Sequence, residues 1–212
     1  MAERGLTPAQ VKVLRLFFRL PASQGFALAG GAGLVAVGLS DRPTGDVDLF
    51  APTASISDAG EAFETAARSE GWTVDRLRVA DTFRRLNVRI DGEDETMVDL
   101  AQDAGPLGEP TITAVGPTYP ARELAARKLL ALFDRAALRD FIDVDQIRTR
   151  HSAAELIETA GAIDEGFDVS VLVQMLTGLD RFGDEQIQEY GVDPEGLRKR
   201  FRTWTDTLSN PR

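Results

Sequence analysis

Asp46 and Asp48, separated by one valine in Asp46-Val47-Asp48-Leu49-Phe50, are the first residues whose types and spacing suggest chemistry. Val47, Leu49 and Phe50 read as a buried strand, and strand residues two apart project from one face. The two carboxylates therefore stand side by side, about 6–7 Å apart along the chain. Like charges held this way repel and shift each other's proton affinity. A divalent cation removes the conflict. Magnesium takes carboxylate oxygens and keeps its other positions for water and phosphate, so the pair suits a metal–nucleotide. Asp99, in Met97-Val98-Asp99-Leu100, is a third carboxylate in an otherwise apolar strand, on the face opposite Val98 and Leu100. If that strand lies beside Asp46–Phe50, three carboxylates converge. They could then hold two metals about 4 Å apart, with one carboxylate polarising an acceptor hydroxyl for in-line attack on phosphorus.

Gly30 and Gly31 precede Asp46 by fourteen intervening residues and fall between an apolar strand, Phe26–Ala29, and a small-residue helix, Ala32–Leu39. Without side chains there, backbone N–H groups and a helix N-terminus can approach phosphate oxygens. A strand–glycine–helix turn is commonly a plain connection, and a lone D-x-D is commonly a solvated turn. Their order here, with Asp99 on a later strand, is what points to phosphate chemistry.

Composition limits the alternatives. The 212 residues are 43% hydrophobic, enough for one ordinary domain or two small ones. No apolar run approaches the roughly 20 residues of a membrane span, and MAERGLTPAQ lacks a signal-peptide core, so no membrane partner and a cytoplasmic location are expected. Zero cysteines and a single histidine, His151, exclude thiolate chemistry and multi-histidine sites. A net charge of −10 counts against a general nucleic-acid binder. The charge is uneven: from Asp140 to Glu195 there are 14 acidic and 3 basic residues, whereas Arg76, Arg78, Arg84, Arg85 and Arg89 cluster earlier and Arg198, Lys199, Arg200 and Arg202 cluster late.

The elements that must position these residues fall into two parts. Thr7-Pro8-Ala9-Gln10 opens a helix with a capping threonine and a first-turn proline. A helix is expected from near Ser57. Strands are expected at Trp72–Val79, Phe83–Ile90 and Glu95–Ala101, the last two joined by the turn Asp91-Gly92-Glu93-Asp94. Another strand-like run, Thr111–Val115, precedes Gly116-Pro117-Thr118-Tyr119-Pro120, read as a linker. Beyond it only helices are expected, at about Pro120–Phe133, Ala136–Arg150, Ala153–Ala160, Val169–Arg181 and Pro194–Leu208. The expected fold is α/β (α+β) with a mixed sheet over residues 1–117, followed by a helical domain over 118–212.

The glycine pair, D-V-D and the later V-D-L together resemble the polymerase-β-like nucleotidyltransferases. RELAARKLLALFDRAALRDFIDVDQI, Arg122 to Ile147, resembles the lysine helix and R-D-x-x-D segment of the AbiEii/AbiGii nucleotidyltransferase toxins, which include the MenT-type proteins. The resemblance spans about residues 25–147. It implies an enzyme that moves a nucleoside monophosphate from an NTP to an acceptor hydroxyl and releases pyrophosphate. Asp46, Asp48 and Asp99 would be the metal ligands for Mg²⁺ or Mn²⁺. Gly30, Gly31, Arg42, Thr44, Lys128 and Asp143 would bind the nucleotide, and Lys128 and Asp140 would join the three strand aspartates in catalysis, with Arg139 beside Asp140. Thr44 stands where relatives usually carry serine. The acceptor implied is the 3′ end of tRNA, within a type IV-like toxin–antitoxin pair with a cognate antitoxin.

Plainer readings stand beside these. Lys128 would be an exposed residue of an amphipathic helix, Arg139–Asp140 a surface ion pair worth at most about 1 kcal/mol, and RKRFR, Arg198–Arg202, a solvated helix face. Arg85, Asn87 and Arg89 share one strand face, either plain solvent or, if Val88 pairs with Val98, the face holding Asp99. Two other functions remain open: an antibiotic- or small-molecule-modifying nucleotidyltransferase, favoured by the acidic helical part because aminoglycosides are cationic, and a non-catalytic regulatory module of the same fold.

Overall fold

The computed structural model describes residues 5–210, and the chain divides into two compact units, Met1–Ala121 and Arg122–Arg212. The first begins with α1 (Pro8–Phe17), capped as its sequence requires: the Thr7 hydroxyl accepts from the Gln10 N–H, and the Gln10 side chain accepts from the Thr7 N–H. The chain continues through β1 (Ala27–Ala29), α2 (Gly30–Ala36), β2 (Asp46–Ala51), α3 (Ile56–Ser69), β3 (Thr73–Ala80), β4 (Phe83–Arg89), β5 (Thr96–Gln102), β6 (Thr111–Thr113) and β7 (Gly116–Thr118). Among the described residues these strands form one seven-stranded mixed sheet in the order β3-β4-β5-β2-β1-β7-β6. β2 runs parallel to β5 and β1 parallel to β7, the other neighbours being antiparallel.

Strand alternation divides the sheet's two faces. Leu28, Val47, Leu49, Leu86, Val88, Val98 and Leu100 are fully buried in one core with residues of α1 and α3. Phe17 of α1 packs edge-on against Phe26 at 5.2 Å and Phe63 of α3 at 6.0 Å. Asp46 and Asp48 of β2, Asp99 of β5 and Arg85 of β4 alternate with these residues and so stand on the opposite face. The core thus fixes the charged face: a one-residue slip of β2 would bury both aspartates and expose Val47 and Leu49.

Two expectations are corrected. Gly116–Pro120 is not a linker, because Thr118 pairs with Leu28 and Ile112 with Pro117, so β6 and β7 form a hairpin within the sheet. Val88 pairs with Thr96, not Val98, and Leu86 takes Val98. A two-residue shift leaves every side chain on its face, so Arg85 still joins Asp99, directly opposite it.

One polar group interrupts the apolar side. Glu64 of α3 is fully buried and accepts from Arg84 of β4 at 3.2 Å, from Arg76 of β3 at 2.9 Å and from Arg68 at 2.9 Å. Gly60, one helical turn earlier, leaves the space: a Cβ there would lie 2.5 Å from Arg84 Cδ and Nη1. This node pins α3 to the β3–β4 hairpin that carries Arg85. β3 is itself an edge strand, with Leu77 and Val79 more than half exposed and a register irregularity between Arg76 and Arg78.

The second unit is helical: α4 (Ala121–Arg135), whose first residue lies at the boundary, α5 (Leu138–Ile147), α6 (Ala153–Ile163), α7 (Val169–Thr177), α8 (Asp184–Gln188) and α9 (Pro194–Ser209). α7 ends four residues before the expected Arg181, and Gly178–Arg181 tightens into a 3-10 turn. Asp184–Gln188 was not anticipated, being a single short turn. Phe141 packs edge-on against Phe201 at 5.2 Å and Phe201 tilts against Trp204 at 6.1 Å, and the Arg148 guanidinium lies 4.1 Å from the Trp204 ring centroid.

Glu64→Ala strands the buried Arg84 charge and is expected to cost about 3–5 kcal/mol. In urea unfolding this appears as a lower midpoint with an unchanged slope.

Candidate active site

The site in the first unit is built from the β1–α2 turn and the adjacent strands. β1 ends at Ala29, whose cross-strand partner is Asp48. The chain then turns through Gly30 at φ +57°, and Gly30 and Gly31 form the first residues of α2 instead of an open loop before it. A Cβ on Gly30 would fall 1.8 Å from Asp48 Oδ2, and one on Gly31 would fall 2.8 Å from Thr44 Oγ1. Both glycines therefore let backbone approach side chains of the 42–48 segment closely, and Gly30 also supplies a conformation that other residues adopt at a cost. Gln10, nearly fully buried on α1, donates to the Thr44 carbonyl at 2.6 Å and ties this segment to the helix. Arg42 folds onto its own loop: its N–H donates to Ser40 Oγ at 3.2 Å and Nη1 donates to the Pro43 carbonyl at 2.9 Å.

Asp46 is exposed and Asp48 half-buried on the same face of β2. Parallel pairing puts Asp48 beside Asp99, and antiparallel pairing puts Asp99 beside Arg85. Arg85 donates from Nε to Asp99 Oδ1 at 2.7 Å and from Nη2 to Oδ2 at 2.6 Å, a two-pronged ion pair across the strands. Asp99 is 6% exposed, the Arg85 side chain 45%. The bond to Asp99, then its charge, raises the guanidinium above its ordinary pKa, and Asp46 and Asp48 add to the rise. All three carboxylates therefore act on one cation.

Asp46 and Asp48 fit a hard divalent ion, since they present oxygens from one strand face and one of them is open to solvent. No group of three or more potential metal-ligating side chains occurs among the described residues, and Asp99 is bonded to Arg85 at both oxygens.

The sequence-selected residues of the second unit form a buried cluster within it. Lys128 is 8% exposed, and its ammonium lies 3.0 Å from Asp143 Oδ2 and 3.4 Å from Asp140 Oδ1, both aspartates being fully buried. It is therefore not an exposed face residue. Arg135 donates from Nε and Nη2 to the two Asp140 oxygens at 2.9 and 3.0 Å, and the Ala137 N–H donates to Oδ2 at 3.2 Å. The partner of Asp140 is thus Arg135 and not Arg139, which is exposed: Asp140 occupies the first turn of α5, where it caps Ala137 and meets the end of α4. Burial pushes the Asp140 carboxyl up, but the bonds and charges of Arg135 and Lys128 outweigh it and hold its pKa below the ordinary value. In RKRFR, Phe201 is buried, Arg198 reaches Asp184 at 2.6 Å and Arg200 reaches Asp145 at 2.7 Å, so these arginines serve the unit's own carboxylates.

Sequence reasoning missed Gln10 and Arg135. Gln10 reads as part of the helix-opening Thr7-Pro8-Ala9-Gln10, and Arg135 falls between the expected helices Pro120–Phe133 and Ala136–Arg150. The five-residue spacing from Arg135 to Asp140 across a helix break was the available signal.

Gly30→Ala is expected to lose about 1–3 kcal/mol of stability in thermal unfolding, because the strained φ and the Asp48 contact act together. For Asp140, a lowered folded pKa means that its stabilising contribution is complete above the unfolded value near pH 4 and disappears as pH falls through the folded value. Asp140→Asn should therefore flatten the acid limb of the melting temperature between about pH 5 and pH 2, with little change in slope above it.

The comparisons agree with this architecture. A family model described as nucleotidyl transferase AbiEii toxin, type IV TA system, matches residues 13–189. No curated protein is a significant match. Among solved structures, MenT4, a nucleotidyltransferase toxin from Mycobacterium tuberculosis H37Rv, is similar at a TM-score of 0.66 and 18% identity, covering 96% of this chain and 82% of that one. JHP933 from Helicobacter pylori is similar at 0.60 and 14% identity, covering 94% of this chain and 89% of that one. At these identities the structures establish the α/β fold, while the family match establishes a nucleotidyltransferase and sets aside the non-catalytic alternative. The chain belongs to the AbiEii nucleotidyltransferase toxin family of type IV toxin–antitoxin systems.

Proposed function

We propose that this nucleotidyltransferase is metal-dependent and transfers a nucleoside monophosphate to the 3′ end of tRNA in the cytoplasm, as the toxin countered by a cognate antitoxin. One observation carries the metal reading: Asp46 and Asp48 project from the same face of β2, beside the side-chain-free turn at Gly30 and Gly31. No described helix is long and apolar enough to cross a membrane.

Asp46 and Asp48 would hold Mg²⁺ or Mn²⁺, which when bound neutralises phosphate charge and polarises the phosphorus under attack. Gly30 and Gly31 let the α2 backbone pack directly against Asp48 and Thr44, and by family resemblance this turn, with Arg42 and Thr44, would meet the nucleotide phosphates. The acceptor hydroxyl oxygen bonds to the α-phosphorus of the NTP, the bond from that phosphorus to the β-phosphate bridging oxygen breaks, and pyrophosphate leaves with the bond's electrons. Asp99 accepts from Arg85 at both oxygens, and the acceptor's proton passes to a carboxylate of this face or to solvent. The family resemblance assigns Lys128 to the nucleotide phosphates, with Asp140 and Asp143 fixing its ammonium.

A second acceptor class, a small cationic compound such as an aminoglycoside, is favoured by the 14 acidic against 3 basic residues between Asp140 and Glu195. The pairing of Arg198 and Arg200 within the helical unit points the same way.

Incubation with Mg²⁺, total tRNA and each α-labelled NTP in turn should label tRNA with one nucleotide, and Asp48→Asn should reduce the rate at least about 100-fold. A tRNA acceptor also predicts binding that weakens steeply with added salt, whereas a small cationic acceptor predicts a shallow slope. Full transfer by Asp48→Asn would remove the metal assignment.

A further inference from the structure

The carboxylate face holds a cation of its own. Asp48 and Asp99 are direct neighbours on parallel strands, and Arg85 is the direct neighbour of Asp99 on its other side. Both Asp99 oxygens accept from Arg85, at 2.7 and 2.6 Å, and Asp99 is almost wholly buried. A buried carboxylate held at both oxygens by a guanidinium fork is fixed in the plane of that fork, and withdrawing it towards a metal leaves the guanidinium without its partner. The geometry is fixed from behind, since β4 is held to α3 through Arg84 and Glu64, on the opposite face and one residue away from Arg85.

We propose that Arg85 is a positioning residue that stands in for a second metal: it keeps Asp99 out of the metal shell and limits the site to one divalent ion, on Asp46 and Asp48. This rests on the metal-dependent reading above and deepens it. Arg85 supplies, permanently, the positive charge that a second ion would otherwise bring to the face. Lysine would not substitute, because a single ammonium cannot span both carboxylate oxygens in the plane of the fork.

The test is Mn²⁺ binding to the full-length protein without nucleotide, read by electron paramagnetic resonance and by calorimetry. Wild type should bind one Mn²⁺. Arg85→Met, which removes the charge but keeps the length, should bind a second ion or bind the first at least tenfold more tightly, and Arg85→Lys should fall between. Arg85→Met/Asp99→Asn, which removes both charges and leaves the net charge of the face unchanged, should lose whatever Arg85→Met gained and return to one Mn²⁺, and the fold of each variant is checked by circular dichroism. Two ions on wild type, Arg85→Met indistinguishable from wild type, or a gain that persists in the double variant would each overturn the inference. Failure of the metal reading itself has a different signature: no Mn²⁺ bound by wild type, with Asp46→Asn and Asp48→Asn behaving identically to it, and the inference falls with it.

Discussion

Three carboxylates cannot share one patch of a sheet without a positive partner, and the first unit is arranged around that electrostatic requirement. The parallel pairing of β2 and β5 creates the problem by setting Asp48 beside Asp99, and the antiparallel pairing of β4 answers it by bringing Arg85 to Asp99. The core supports the same solution. Alternation buries Val47, Leu49, Val98, Leu100, Leu86 and Val88 together, and the charged residues have no other face to occupy. Packing and electrostatics thus agree at the site, as expected of a sequence that specifies one structure.

The helical unit solves a similar problem in another way. Lys128, Asp140 and Asp143 are buried together, with Arg135 closing the cluster from the edge. Two cations meet two anions there, and each Asp140 oxygen has more than one donor. Such a cluster gives little net stability relative to apolar packing, but losing one member is costly, so the four side chains behave as one group.

Much of this was legible in the sequence where local periodicity decides the outcome. Asp46 and Asp48 declare a shared face through the two-residue period alone, and Thr7, Ser152, Asp168 and Asp193 cap helices as their types suggest. What was not legible depended on pairing partners. The hairpin register of β4 and β5 could shift by two residues with no change in pattern, so Arg85 could be assigned to a face but not to Asp99. Gly116 and Pro117 carry turn signals whether or not the chain goes on to join a sheet, which hid β7. Lys128 lies next to the apolar stripe of its helix, and its burial depends on carboxylates 12 and 15 residues further on.

The Glu64 node has a thermal consequence. Glu64 and Arg84 exchange hydration for mutual contact, with Arg68 and Arg76 half exposed at the edge, and the hydration of charged groups becomes less favourable as temperature rises. The penalty for burying Glu64 and Arg84 therefore shrinks on heating, while the apolar core around Phe17 and Phe63 gains no comparable advantage. The join between α3 and the β3–β4 hairpin is thus the part of the sheet whose relative strength grows as the protein warms, and it keeps Arg85 in place when looser segments begin to fray.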